Sequence, residues 1–576
     1  NHLFLTAPLA LKEANAPFLA TGLIALDPAS FGLAQVDVDG AMHKAIMTAE
    51  TMHNPGTDRN EFANVAPEAA PHPEVFDRDA TLPSLRSGGF SLWADERGVQ
   101  LLANMGQSKE FNDAVEGGGA QKRPFFAEDL LRGYRVDIWD SHTNGWHSLH
   151  RRVGKYQIGD ESFSPGEEEG FVQTAAMQPA PGAAEGEDGE DLYLHEAIAR
   201  WAGWSLSVPM PGKFLTHHGD PDQAIPTDDY ATDQPDTPFK MTVAYEIAPG
   251  SLPRLAFGRR YRLRARAVDL AGNSLAHDAP LAAFLALFLA LPRNLDGQPY
   301  LRYEPVDAPL VVIRDPAAVA GPGSAVDRLV IRTFNAAEEQ DGAAADTTAG
   351  DRHLLPPRTS VEMGERLGMF DDANGKLKGD AATWQLIVDR DAGELNQQTI
   401  AIAGQEPKEF PVEPGDAVAA LPYLPDLLAQ GAALRDLPGT PGGALARTGA
   451  GSATGAIDYA ALADPNARPG SATLVSFDTD GDWQNWAGIR LTLAEPAAGQ
   501  TDLRPQWDPA GRLLTVFLGK GQTAITPLST YLSAAGLKLM GQWEWLRQYI
   551  ELITVFNARP QYLTPGAAVD KINHVL

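Results

Sequence analysis

The sequence predicts a mainly β, multidomain chain with long loops and a few short helices, and three observations carry that prediction. At 576 residues the chain exceeds what one hydrophobic core serves, so it should divide into several domains. Glycine (55) and proline (44) are abundant, and both punctuate turns. Segments in which apolar and polar residues alternate at period two recur along the chain, as half-buried strands require.

Residues 1–125 are expected as an N-terminal β-rich region. Strands are placed at Gly22–Leu26 and Ala34–Val38, with a loop from His53 to Thr81. Phe90–Trp93 and Val99–Ala103 then flank ADERG, which predicts a hairpin. A second hairpin opens the next region, residues 126–292. Tyr134, Val136 and Ile138 alternate with polar neighbours, and the turn Asp140–Gly145 ends in Asn-Gly, which suits positive φ, before the return at Trp146. The acidic stretches Asp160–Gly170 and Gly182–Asp191 predict solvated loops. Leu194, Ala197, Ile198 and Trp201 at helical spacing predict a short helix over Leu192–Trp201. Trp204–Val208 is strand-like, Thr216–Pro238 is a long polar loop, and Met241–Ile247 alternates as a strand. The longest apolar run, Leu281–Leu291, is too short to cross a bilayer as a helix, so no membrane span is expected.

A β-rich middle domain is expected over 300–435. Its strands are placed at Leu310–Ile313, Arg328–Thr333 and Gln385–Val388, around an Ala/Asp/Glu stretch at Asn335–Arg352. Residues 436–470 have the composition of a linker. A C-terminal α+β region over 471–576 should hold strands at Thr473–Phe477, Ile489–Leu493 and Leu513–Leu518. Leu539, Trp543, Leu546 and Ile550 place a helix over Leu537–Phe556. No fixed-period repeat stands out.

The most informative run is Leu255–Asn273, LAFGRRYRLRARAVDLAGN. Side chains alternate faces along a strand, so Tyr261, Leu263, Ala265 and Ala267 share one face while Arg260, Arg262, Arg264 and Arg266 share the other. Leu255 precedes Tyr261 by six residues, and DLAGN closes the strand. This run resembles the E–F corner and F strand of a fibronectin type III or related immunoglobulin-like β-sandwich. The resemblance implies that the Tyr261 hydroxyl ties the corner to nearby backbone, that Met241–Ile247 is strand E, and that Trp201 or Trp204 is the core tryptophan. It covers about residues 200–278. The polar loop at Thr216–Pro238 departs from the plain module and implies an elaborated sandwich.

Charge narrows the function. Lys and Arg number 46 against 75 Asp and Glu, a net charge of −29, which repels a phosphate backbone and argues against nucleic-acid partners. Cysteine is absent, so neither disulfides nor thiolate chemistry enter. A long cysteine-free chain that begins at Asn1 fits a processed or partial protein from an extracellular, cell-surface or particle setting. The arginine ladder would span about 20 Å at about 7 Å per step. It could bind an acidic glycan or an acidic partner surface; alternatively, neighbouring strands supply its counter-charges, which the abundance of acidic residues favours.

Asp478, Asp480 and Asp482 resemble the opening of a calcium loop. However, Trp483 stands where that loop needs glycine and Ile489 where it needs glutamate. His142, His147 and His150 near Asp137 and Asp140, and His217-His218 near Asp220 and Asp222, are weaker metal candidates. No GxSxG turn, phosphate loop, HExxH or GxGxxG accompanies them. The expectation is a non-enzymatic structural or binding component with protein partners or self-assembly and no cofactor, calcium excepted. The alternatives are a secreted glycan-active hydrolase whose carboxylate pair is hidden among the acids, and a calcium-dependent adhesin.

Overall fold

A computed structural model describes residues 22–37, 86–117, 131–173, 197–211, 214–217, 224–227, 241–282, 288–313, 352–373, 375–400, 407–412, 421–441, 444–447, 458–461, 471–519, 522–541 and 543. The chain is mainly β, with several separate sheets and few helices. Packing gathers it into two compact units, Asn1–Glu304 and Pro305–Leu576.

In the first unit, β1 (Leu23–Ile24), β2 (Phe31–Val36) and β3 (Ser87–Ala94) precede helix α1 (Arg97–Glu116). Then come β4 (Leu131–Asp140), β5 (Gly145–Ser148), β6 (Arg151–Ile158), β7 (Glu161–Phe163) and β8 (Glu167–Glu169). They are followed by β9 (Ala197–Trp201), β10 (Phe214–His217), β11 (Ala224–Thr227), β12 (Met241–Ile247) and β13 (Arg260–Asp269). Two short strands, β14 (Ala290–Leu291) and β15 (Gln298–Pro299), end the unit.

β13 is the centre. Along one edge it pairs antiparallel with β4 from Tyr261↔Asp140 to Asp269↔Leu131, and β4 pairs with β5. Three short segments share further pairing along β13: β15 at Arg260 and Tyr261, β14 at Leu263 and Arg264, and β1 at Ala265 and Arg266. The hairpin turn expected before Trp146 forms with Asn144 at φ 51° and Trp139 opposite Trp146.

A second sheet, β2-β3-β9, meets the apolar face of β13 through aromatic side chains. Tyr261 lies edge-on to both Phe90 of β3 (5.4 Å) and Trp201 of β9 (5.5 Å). Tyr300 joins them, 5.5 Å from Phe90 and stacked on Phe257. All of these rings are buried, and each such pair adds about 0.5–1.5 kcal/mol beyond the area it removes from water. At the corner before β13 the Tyr261 hydroxyl donates to Arg254 O (2.7 Å) and accepts from Ala256 N (3.0 Å). Of the two candidate tryptophans, Trp201 is in this core. Trp204 is only half-buried, and its indole donates to Val208 O. A third sheet, β12-β6-β7 with β8 also on β6, completes the unit beside the β10–β11 hairpin.

The second unit builds a seven-stranded and a five-stranded sheet. β16 (Leu310–Ile313), β17 (Arg352–Leu355), α2 (Val361–Arg366), α3 (Ala381–Asp391), β18 (Asn396–Ile400) and β19 (Lys408–Val412) come first. β20 (Gly431–Arg435), β21 (Ala444–Arg447), β22 (Asp458–Ala461), β23 (Ala472–Ser476) and β24 (Ile489–Ala494) follow. β25 (Gln506–Asp508), β26 (Leu513–Phe517), β27 (Leu528–Tyr531) and α4 (Ala534–Leu537) close it. The sheets run β18-β19-β16-β17-β24-β26-β25 and β22-β21-β23-β20-β27. Val312, Leu354, Val475, Phe477, Trp486, Ile489, Trp507 and Leu514 fill one core drawn from both.

Several sequence expectations are corrected. Val99–Ala103 is not a return strand but part of α1, whose Leu, Gln, Ala, Met and Lys residues favour helix and whose only β-branched residues are two valines. The helix expected over Leu192–Trp201 gives way, within the described residues, to strand β9. Pairing Trp201 with Phe90 buries the indole in the core beside Tyr261, overriding local periodicity. Trp204–Val208 is irregular backbone rather than strand. Gln385–Val388 lies inside α3, nucleated upstream where the Asp380 carboxylate caps Thr383 N at 2.7 Å. The solvated loop expected at Asp160–Gly170 holds β7 and β8. Part of Thr216–Pro238 is the β10–β11 hairpin. Residues 436–470, expected as a linker, contribute β21 and β22 to a sheet, where backbone pairing asks little of small side chains. Gly182–Asp191, Arg328–Thr333, the 335–351 stretch and all but the first residues of the C-terminal helix fall outside the described residues.

Candidate functional site

The second face of β13 carries the one dense cluster of charge that the sequence singled out. Its register on β4 sets Arg264 opposite Asp137 and Arg266 opposite Arg135, with Asp137 on the diagonal. Both carboxylate oxygens of Asp137 are engaged: Arg264 Nε donates to Oδ2 (2.9 Å), and Arg266 Nε donates to both (3.0 and 2.9 Å). Arg266 and Asp137 are 0% exposed. Arg266 also donates to Ser148 Oγ (3.0 Å) on β5, to Leu275 O, and to both oxygens of Glu169 on β8 (2.6 and 3.0 Å). Arg135 reaches the backbone of the same strand end at Glu169 O and Gly170 O. The Trp146 ring packs against the Arg264 guanidinium at 4.3 Å and lies 5.8 Å from that of Arg262.

The electrostatics follow from this closure. Burial pushes the Glu169 carboxyl up, but the hydrogen bonds and charge of Arg266, with Ser148 and Arg135, win and hold it down at about 2. Asp137 and Glu169 raise the Arg266 guanidinium above its ordinary value despite the opposing effect of burial. A buried guanidinium is tolerated only when its donors are matched this way.

Of the two fates the sequence leaves to the arginine face, an open contact surface or counter-charges from neighbouring strands, Arg264 and Arg266 take the second, which the abundance of acidic residues favours. Arg262, Arg264 and Arg266 are buried, and only Arg260 is exposed, donating to Asp296 O and Gly297 O. An acidic glycan therefore finds no ladder on the surface. Sequence reasoning missed the partners, Asp137, Glu169 and Ser148. Asp137 was legible as a carboxylate in the middle of an alternating strand, on the face away from Val136 and Ile138. Glu169 was hidden in an acidic stretch that composition assigns to solvent.

Beside the network, His150 and Ser207 resemble half of a catalytic pair, with Nδ1 2.6 Å from the serine Oγ. Val136 N donates to His150 Nε2 (2.9 Å), so that nitrogen is the acceptor and Nδ1 carries the proton, which it gives to Ser207. Burial first, then the charge of Arg266, pushes the imidazole down to about 3. In this arrangement the ring donates to the serine oxygen and accepts from the β4 backbone, so it links β4 to Ser207. His147 bonds Thr143 Oγ1, and His142 lies in the turn where its backbone N donates to Asp140.

In the second unit, the candidate calcium residues shape their own loop. Asp478 Oδ1 accepts from Asp480 N and Gly481 N, Asp480 Oδ1 from Asp482 N, and Asp482 Oδ1 from Gln484 N, capping a short helical turn. The Asp482 and Asn485 donors hold the Asp480 carboxyl below its usual range. Among the described residues no group of three or more His, Cys, Asp or Glu converges on a metal position. Nor is any described helix long and apolar enough to cross a membrane.

No family model, curated protein or solved structure matches this chain.

Proposed function

We propose that the chain is a non-enzymatic structural or binding component of an extracellular, cell-surface or particle assembly, built on an immunoglobulin-like sandwich of the fibronectin type III kind around β13. The observation that carries this is the Tyr261 corner. Its hydroxyl bridges Arg254 O and Ala256 N while its ring fills the space between β13 and the β3–β9 pair. A tyrosine that ties a corner to nearby backbone is a mark of that sandwich class, many of whose members join or hold other proteins.

The chemistry around it supports the same reading. The guanidinium groups of Arg264 and Arg266 are matched to internal carboxylates, and both ring nitrogens of His150 are engaged, one by Val136 N and one by Ser207. What such a module presents outward is strand edges, whose backbone groups pair with other strands. Partners are then other proteins or further copies of the chain.

The test is to purify the chain, follow its mass by light scattering over a concentration series, image it by electron microscopy, and screen it against a polysaccharide panel for released reducing ends. Assemblies above monomer mass with no glycan cleavage are expected. A lone monomer that cleaves a glycan would overturn the proposal in favour of the hydrolase alternative.

A further inference from the structure

The edges of the sheets are not alike. Among the described residues, β2 is bulged against β3 between Ala34 and Val36. β5 has four residues, and β7 and β8 have three each and carry glutamates. β11 contains a proline, and β18 is mostly Asn, Gln and Thr. Short length, bulges, charge and proline are the devices that blunt an edge against pairing. β12, MTVAYEI, is neither short, nor bulged, nor broken by proline. It has seven residues, forms the outer strand of its sheet among the described residues, and pairs with β6 in unbroken register from Met241↔Ile158 to Ile247↔Arg152. Its one charge, Glu246, is already matched by Lys155 of β6.

The hydrogen-bonding phase of β12 is fixed. Ala248 N donates to Arg151 O directly across the ladder, and antiparallel pairs alternate, so Glu246, Ala244 and Thr242 face β6. On the other side of β6, Gly170 N donates to His150 O, which sends the alternate residues of β6 toward β8 and agrees with that phase. The backbone N–H and C=O of Met241, Val243, Tyr245 and Ile247 therefore point to the outer edge.

We propose that this edge pairs antiparallel with β12 of a second copy of the chain, about a twofold axis at Ala244. The proposal rests on the assembly reading above and names its contact. The sequence is self-complementary in that register. Val243 meets Tyr245 of the partner subunit, a β-branched residue against an aromatic, and Met241 meets Ile247 of the partner subunit. Glu246 meets the uncharged Thr242 of the partner subunit, whereas an in-register parallel pairing would stack glutamate on glutamate. The outward residues fall on hydrogen-bonded pairs, and Ala244 falls on a non-hydrogen-bonded pair facing itself, with Cα atoms about 4.5 Å apart.

That last feature supplies the test. Ala244 is exposed and sits opposite Lys155, so Ala244→Glu adds an ion pair within one chain while setting two glutamates face to face across the axis. The expected result is a dimer for the parent chain and an association constant lowered roughly tenfold or more for Ala244→Glu, with an unchanged far-ultraviolet spectrum. The chain has no cysteine of its own. Ala244→Cys should therefore cross-link rapidly under mild oxidation, since about 4.5 Å suits a disulfide, while Thr242→Cys, placed opposite Glu246, should not. A monomeric parent chain, or equal cross-linking of both cysteine variants, would overturn the proposal. Assembly unaffected by Ala244→Glu would overturn it too, while leaving the broader assembly reading in place.

Discussion

Tyr261 does two jobs with one side chain, and they can be separated. Its ring belongs to the core between sheets, while its hydroxyl serves Arg254 O and Ala256 N. Tyr261→Phe keeps the ring and abandons both backbone groups, so it should cost about 1–3 kcal/mol in urea unfolding with an unchanged slope. Arg266 behaves differently, because its removal leaves carboxylates behind. Arg266→Met should destabilise by about 3–5 kcal/mol, since Asp137 stays buried beside Arg264 alone and Glu169 loses its strongest partner. The same cluster sets an acid response. His150, ordinarily near 6.5 and held at about 3 in the fold, stabilises fully above pH 6.5. That contribution drains as pH falls toward 3, by about 1.4 kcal/mol per unit. Glu169, ordinarily near 4.5 and held at about 2, adds stability present above pH 4.5 and lost between 4.5 and 2. Urea midpoints should therefore start to fall below pH 6.5 and fall faster below 4.5. His150→Gln should remove the upper part of that dependence and leave the lower.

At the scale of elements, the contact between β3 and β9 depends on one glycine. Gly89 has φ 85°, and a Cβ there would lie 2.1 Å from Trp201 O. Gly89→Ala cannot be relieved by a side-chain rotation, because the obstacle is backbone. It should cost more than about 1 kcal/mol and loosen the Phe90–Trp201 stack, visible as a red shift in tryptophan emission. The strands that sequence reading found best, β4, β5, β12 and β13, alternate strongly and carry their own turn signals. Those it misread are informative in physical terms. The stretch that contains β9 has a helical period, and only the core offered to Trp201 makes part of it a strand. α3 is invisible in a four-residue window because its start is specified by Asp380. The arginine face was legible as a ladder, but which carboxylates meet it depends on a strand pairing and a hairpin return that no local pattern encodes.

For the whole molecule, the division at Glu304 and Pro305 gives each unit its own core. Calorimetry should resolve two transitions, and Tyr261→Phe should lower only one of them. The patchwork pairing of β13 has a further consequence. The central strand of the first unit takes partners from Leu23–Ile24, far upstream, and from Ala290–Leu291 and Gln298–Pro299, which are made after it. A ribosome releasing this chain from its N-terminus would expose β1 and β4 long before β13 exists to join them. It would then hold β13 incompletely paired until Pro299 has emerged. Folding of this unit is therefore tied to late synthesis, with long loops to close and a reactive strand to shield meanwhile. A nascent chain halted just short of Gln298 should bind a chaperone that the finished chain ignores.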